Sequence, residues 1–195
     1  MIKRIVLGIV FLSCSNLLFA QFEKGGFMVG GNVSANFSEV TNTNSIYSSY
    51  NVESFFFQPR VGYFVMDNLS AGIGIAYSSR KETYKVSSFY FSSNSISATP
   101  FVRYYLSKFY FEGSLGFGST QSEDNFNNGN VSTRKGSINN WALVGGYTFL
   151  LNKYVAIEPQ VGYQKVVQST DGSNYSQTNS GFFLQLGVQV YIHKN

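Results

Sequence analysis

The chain has 195 residues, of which 12% are charged and 17% aromatic, with a mean hydropathy of −0.05 and a formal net charge of +4. So low a charged share, about half the usual, argues against an ordinary soluble domain. The lack of any apolar run of roughly 18 residues argues against a helical membrane protein, and no basic cluster points to nucleic acid.

Residues 1–20 read as a secretory signal peptide. Lys3 and Arg4 form its charged head, Ile5 to Leu12 its apolar stretch, and Leu18-Phe19-Ala20 ends in a small residue that places cleavage before Gln21. Cleavage would remove Lys3 and Arg4, leaving 12 basic against 10 acidic residues, a net charge of +2. Cys14 is the single cysteine. It is flanked by Phe11-Leu12-Ser13 and Leu17-Leu18-Phe19, which does not suit a lipidation signal. The mature domain, residues 21–195, therefore carries no disulfide and no thiolate chemistry.

Alternation then predicts eight strands: Gly25–Ser38, Ser54–Val65, Leu69–Arg80, Ser95–Leu106, Phe109–Thr120, Ile138–Leu151, Val155–Gln168 and Gly181–Ile192. Connections alternate in length. Met66-Asp67-Asn68, Ser107-Lys108 and Asn152-Lys153-Tyr154 are tight turns, whereas Glu39–Glu53, Lys81–Asn94, Gln121–Ser137 and Ser169–Asn179 are long, polar loops. Short turns at one rim and long loops at the other, with an even strand number, are the pattern of an antiparallel up-and-down transmembrane β-barrel.

The last strand shows the two faces best. Phe182, Leu184, Leu186, Val188, Val190 and Ile192 alternate with Phe183, Gln185, Gly187, Gln189 and Tyr191. A helix would mix these sets, and the length suits a tilted strand crossing a bilayer, which takes about 9–11 residues. Elsewhere the outward set includes Phe55, Phe57, Ile73, Ile75, Phe111, Leu115, Phe117, Trp141 and Leu143. The inward set is small and polar, with Asn32, Ser34, Gly72, Ser114, Gly116, Gln164, Gln185 and Gln189. Tyr63 and Tyr104 fall near the short-turn rim and Tyr77 and Tyr163 near the loop rim, as expected of two aromatic girdles at the headgroups. Each proline opens a Pro-x-Val-x-Tyr phrase, at Pro59, Pro100 and Pro159. A closed barrel has no edge to hold a proline, so the sequence predicts bulges or bends there.

With these features in place, the mature chain resembles the small eight-stranded outer-membrane barrels, the OmpA/OmpX-like and porin-like proteins, from about Gly25 to Ile192. The phrase Gly62–Gly72, strand–turn–strand, is of their kind. Their C-terminal assembly signal is matched by Gln185, Gly187, Val190 and Ile192, although the last two are aliphatic and a tail of His193-Lys194-Asn195 follows. The resemblance implies residence in a bacterial outer membrane, lipid as the surrounding partner, and handling by periplasmic chaperones and the barrel-assembly machinery.

Little chemistry is on offer. His193, the single histidine, lies at the rim opposite the loops, and no nucleophile–base set can be assembled around it. No enzyme, metal or cofactor is expected. Four inward charges remain: Arg60, Arg103, Glu112 and Glu158. The two-residue turn Ser107-Lys108 sets Leu106 opposite Phe109, and that register sets Arg103 opposite Glu112. Eight strands leave an interior just wide enough for side chains. The four charges can therefore form a plug that satisfies itself, or a gate whose opening yields a narrow ion path. The Ser/Asn/Thr/Tyr-rich loops, such as Thr41–Tyr50 and Ser122–Ser132, suit an adhesin or receptor surface or mobile filler. A secreted lipocalin-type barrel would require the apolar face inside.

Overall fold

The computed structural model describes residues 22–41, 49–85, 89–125, 130–173 and 176–193. The expected signal peptide lies outside them. The strands are β1 (Phe27–Val40), β2 (Tyr50–Met66), β3 (Leu69–Tyr84), β4 (Tyr90–Leu106), β5 (Phe109–Asn125), β6 (Val131–Tyr147), β7 (Phe149–Leu150), β8 (Val155–Thr170) and β9 (Ser176–Ile192). Each long strand pairs antiparallel with the next, β6 pairs with β8, and β1 pairs with β9, so the sheet closes into a ring. β7 is a two-residue continuation of β6 against β8. The ring therefore has eight staves.

The apolar face is outside. Phe55, Ile73, Phe111, Leu115, Phe117 and Leu143 are all exposed, while the alternate positions Asn32, Gln58, Thr99 and Gln189 are buried in the lumen. This excludes the soluble lipocalin-type barrel. In water such a belt would be an enormous unpaid apolar surface; in lipid it is the normal exterior.

Every long strand runs further at its loop end than the alternation predicts, whereas at the other rim Gly25 and Gly26 stay outside β1 and the expected strand Ile138–Leu151 breaks at Thr148. Lys81–Thr83 ladder with Tyr90–Ser92, Gln121–Asn125 with Val131–Lys135, and Ser169 with Ser176. Much of each expected loop is thus a polar hairpin, and the parts of those loops within 42–48, 86–88, 126–129 and 174–175 lie outside the described residues. The physical reason is that beyond the hydrocarbon both sheet faces are wet. Period-two hydropathy vanishes there while the backbone ladder continues.

The opposite rim is tight. Asp67-Asn68 and Ser107-Lys108 each turn the chain in two residues, with Asn68 at φ 64° and Ser107 at φ 59°. Asparagine tolerates that left-handed geometry well. In the third turn, Asn152 Oδ1 accepts the N–H groups of Tyr154 and Val155 at 2.8 and 2.9 Å, and so supplies the partner those two donors lack.

The prolines do not bulge the sheet. Around Pro59 the β2–β3 ladder lapses between Phe57↔Tyr77 and Arg60↔Gly74, then resumes in the same register. Around Pro100 the β4–β5 ladder lapses between Ala98↔Phe117 and Phe101↔Ser114 in the same way. At Pro159 the lapse is the break between β6 and β7. A proline removes one donor on one side only; each keeps its pairing with the other neighbour. The one register shift in the β2–β3 ladder lies elsewhere, between Phe64 and Met66.

Candidate functional site

The lumen is built in layers. At the loop end is a polar cup of about 890 Å³, lined by Ser78, Ser93, Thr120 and Gln168, by the ion pair Arg80–Glu82 and by Arg134, which pairs with Asp124. Below it lies a smaller cavity of about 280 Å³ with Asn32, Gln58, Thr99, Asn140 and Gln160 on its wall. Asn32 donates to Gln58 at 3.2 Å, and Gln58 to Thr99 at 2.9 Å.

The floor of that cavity is the charge layer, and the structure brings all four inward charges together. Arg60 holds Glu112 with two bonds, Nη1 to Oε2 at 2.7 Å and Nη2 to Oε1 at 2.8 Å. Arg103 stands opposite Glu112 in the β4–β5 register. Its Nε donates to Glu112 at 2.7 Å and its Nη1 to Glu158 Oε2 at 2.7 Å. The other carboxylate oxygen of Glu158 accepts from Tyr191 at 2.5 Å and from Thr148 at 3.0 Å. Two arginines and two glutamates leave no net charge. Every carboxylate oxygen has a donor, whereas Arg60 Nε and Arg103 Nη2 find no acceptor; pairing of opposite charges is what makes such burial tolerable.

Residues that the charge pattern alone does not reveal complete the layer. The Arg103 guanidinium lies 3.9 Å from the centre of the Tyr110 ring, and Arg60 4.5 Å from that of Phe101. Guanidinium over an aromatic face is favourable, more so when dry. Two glycines make room: a Cβ at Gly146 would overlap Tyr110, and one at Gly72 would meet Phe101 at 2.6 Å. Tyr105 and Tyr191 close the lumen below, their hydroxyls 3.1 Å apart. Phe22 seals the bottom, stacked on Tyr105 at 4.0 Å and edge-on to Tyr191 at 5.4 Å. It is held there by its carbonyl, which accepts the Asn68 N–H at 2.7 Å, and by Lys24 N–H donating to Asp67 at 2.8 Å. Tyr105 and Tyr110 share the inward parity of Arg103 and Glu112, a signal the sequence does carry. Phe22 precedes the first strand and has no such signal.

Outside, Tyr63 packs on Phe27 near the tight-turn rim, and Tyr104 stands opposite Phe111. Near the other rim, Tyr163 lies between Trp141 and Phe182, and Tyr77 donates to Asn94. In the last strand, Gln185 accepts from Gln160 inside and Gly187 is buried, whereas Ile192 faces outward and Val190 is half-buried. His193 sits on the Lys153 carbonyl at 3.2 Å in the third turn, far from the cup.

A closed eight-stave ring with an apolar exterior, a polar interior, tight turns at one rim and long hairpins at the other defines a bacterial outer-membrane β-barrel. Solved structures agree in fold. Ail, the attachment invasion locus protein of Yersinia pestis, in complex with the heparin analogue sucrose octasulfate, is similar with a TM-score of 0.54 at 13% identity, over 87% of this chain and 99% of that one. Neisserial surface protein A is similar with a TM-score of 0.50 at 16% identity, over 86% and 97%. No protein-family model matches the chain, and no curated protein matches it in sequence.

Proposed function

We propose that this chain is an outer-membrane surface protein of structural or interaction role whose lumen is plugged, not a pore. One observation carries the reading: Arg103, with no exposed surface, is clasped between Glu112 and Glu158 and lies above a floor of Tyr105, Tyr191 and Phe22. An ion entering the cup meets a neutral, hydrogen-bonded layer and then an aromatic one. The polar hairpins beyond the membrane offer a surface for an extracellular partner, a reading supported by the solved complex of Ail with a heparin analogue. The last strand, with Gln185, Gly187, Val190 and Ile192, is what the assembly machinery would take up after periplasmic chaperones deliver the chain.

Planar-bilayer recording tests the plug. Wild type is expected to show no unitary conductance. Glu112→Lys places a third cation between Arg60 and Arg103, so a variant that conducts beside a silent wild type identifies the charge layer as the seal. Steady conductance in wild type would overturn the reading and favour a narrow channel.

A further inference from the structure

The ring is incompletely stitched. The β1–β9 ladder runs from Phe27↔Ile192 to Val33↔Leu186 and stops. Both strands continue: β1 stays paired with β2 up to Val40↔Tyr50, and β9 stays paired with β8 back to Ser169↔Ser176. The running register would set Ser34 against Gln185 and Phe37 against Phe182, yet neither pair forms. Exposure records the gap. Phe182 and Leu184 are 84% and 82% exposed, while Leu186 and Val188, on the same face lower down, are 51% and 49%. Phe37 across the gap is 76% exposed.

The slot lies at the depth of the outer aromatic girdle, since Phe182 packs on Tyr163 and Tyr163 on Trp141. Open strand edges facing hydrocarbon are not tolerated unless they line a wet or filled cavity. Such a cavity is present. The 280 Å³ chamber above the charge layer is walled by Ser34 and Gln185, by the lumen aromatics Phe56 and Phe183, and also by Leu184. Ser34 and Gln185 flank the unpaired edges and Leu184 lies beside them, so the chamber borders the slot. Its lining is amphipathic, with the amides and hydroxyls of Ser34, Gln58, Thr99 and Gln185 beside the rings of Phe56 and Phe183. The nearest cation, Arg60, is already committed to Glu112, which leaves hydrogen bonding and not charge to hold a ligand head.

We propose that the slot between β1 and β9 is a lateral portal and binding site for small single-chain amphiphiles with an uncharged polar head. The head sits among the amides of the chamber, and the tail leaves between Phe37 and Phe182 into the outer leaflet. This goes beyond the plug reading and stands on strand register, whereas the plug stands on the charge layer; either can fail alone.

The test is photocrosslinking in nanodiscs with a monoacylglycerol that carries a diazirine on its chain, the sites being mapped by mass spectrometry. Labelling is expected on the lumen residues Phe56 and Phe183, above the level on the belt residue Leu115. Phe37→Cys/Phe182→Cys, which the running register sets opposite one another, staples the slot where the tail leaves when oxidised. Lumen labelling should then fall to the unirradiated level and return on reduction, in the same folded protein. Labelling confined to the outer belt in wild type would overturn the proposal without recourse to any variant. So would lumen labelling that persists in the oxidised double-cysteine protein. A disulfide between two copies through Asn36→Cys, with no lumen labelling, would also overturn it and assign the edge to a second copy of the chain.

Discussion

Arg103 and Glu158 are 55 positions apart in the chain, and their side chains meet within the lumen at 2.7 Å. Of the two arginines in the layer, Arg103 is the one that touches both glutamates. Arg103→Met therefore strands Glu158 on hydroxyl donors alone. Removing one partner of a buried ion pair costs about 3–5 kcal/mol. Unfolding by denaturant, followed through the single tryptophan, Trp141, should show that loss. Arg103→Met/Glu158→Gln restores neutrality and should recover part of it; a double variant no more stable than the single one would mean that the pair is not what the layer depends on.

How far this layer was legible depends on how local each contact is. Inward parity selects Arg60, Arg103, Glu112 and Glu158 from the sequence, and the two-residue turn at Ser107-Lys108 fixes Arg103 against Glu112 because few residues intervene. The reach of Arg103 to Glu158 and of Arg60 to Glu112 spans the lumen, and no alternation encodes it. Tyr105, Tyr110 and Tyr191 share the parity of the charges but read as ordinary strand formers, since aromatics are favoured in strands for several reasons. Thr148 is hidden further: its N–H leaves the β6–β8 ladder and donates to the Lys108 carbonyl at 2.8 Å. The expected bulges at the prolines are absent because a proline removes one donor without adding a residue to the strand. The strand ends failed because wet hairpins carry no hydropathic period.

The membrane-facing assignment predicts a position-dependent penalty. Leu115→Arg puts a cation in the middle of the apolar belt and should cost about 2–4 kcal/mol of folding free energy in vesicles. Thr133→Arg, on the exposed hairpin beyond the belt, should stay within about 0.5 kcal/mol of wild type. Equal effects at the two sites would remove the case for an apolar exterior set in lipid.

Gly146 predicts a steric coupling. A methyl group there overlaps the Tyr110 ring, so Gly146→Ala should lose about 1–3 kcal/mol through overpacking. Gly146→Ala/Tyr110→Leu should be less destabilised than the separate changes add up to. Simple additivity in a double-mutant cycle would show that the two residues do not press on each other.

The hairpin beyond the membrane predicts a pH response. Glu39, at the end of β1, bonds Lys85 beyond β3, and that bond, with the attraction of the ammonium, holds its carboxyl below the usual carboxylate range. A depressed folded value means the contribution is present above the ordinary carboxylate pKa and is lost as pH falls through the lower, folded one. Amide exchange of Glu39, Val40 and Asn51 should therefore speed up as pH falls through that window, after correction for the intrinsic pH dependence, and Lys85→Met should abolish the step. An unchanged profile in Lys85→Met would show that Glu39 has no such partner in solution.

The short closing ladder has a mechanical consequence. It joins the first and last long strands, whereas every other ladder of the ring between long strands joins strands that are neighbours in sequence. A cylinder sewn along only part of one line fails there under load. Pulled from the C-terminal end, β9 would peel from β1 starting at Phe27 and Ile192 at the tight-turn rim and tear toward Val33 and Leu186, where the seam runs out, while the hairpin that β9 forms with β8 still held. The rupture force of this barrel should then be set by the strength of one partial seam, however firmly the charge layer binds the interior.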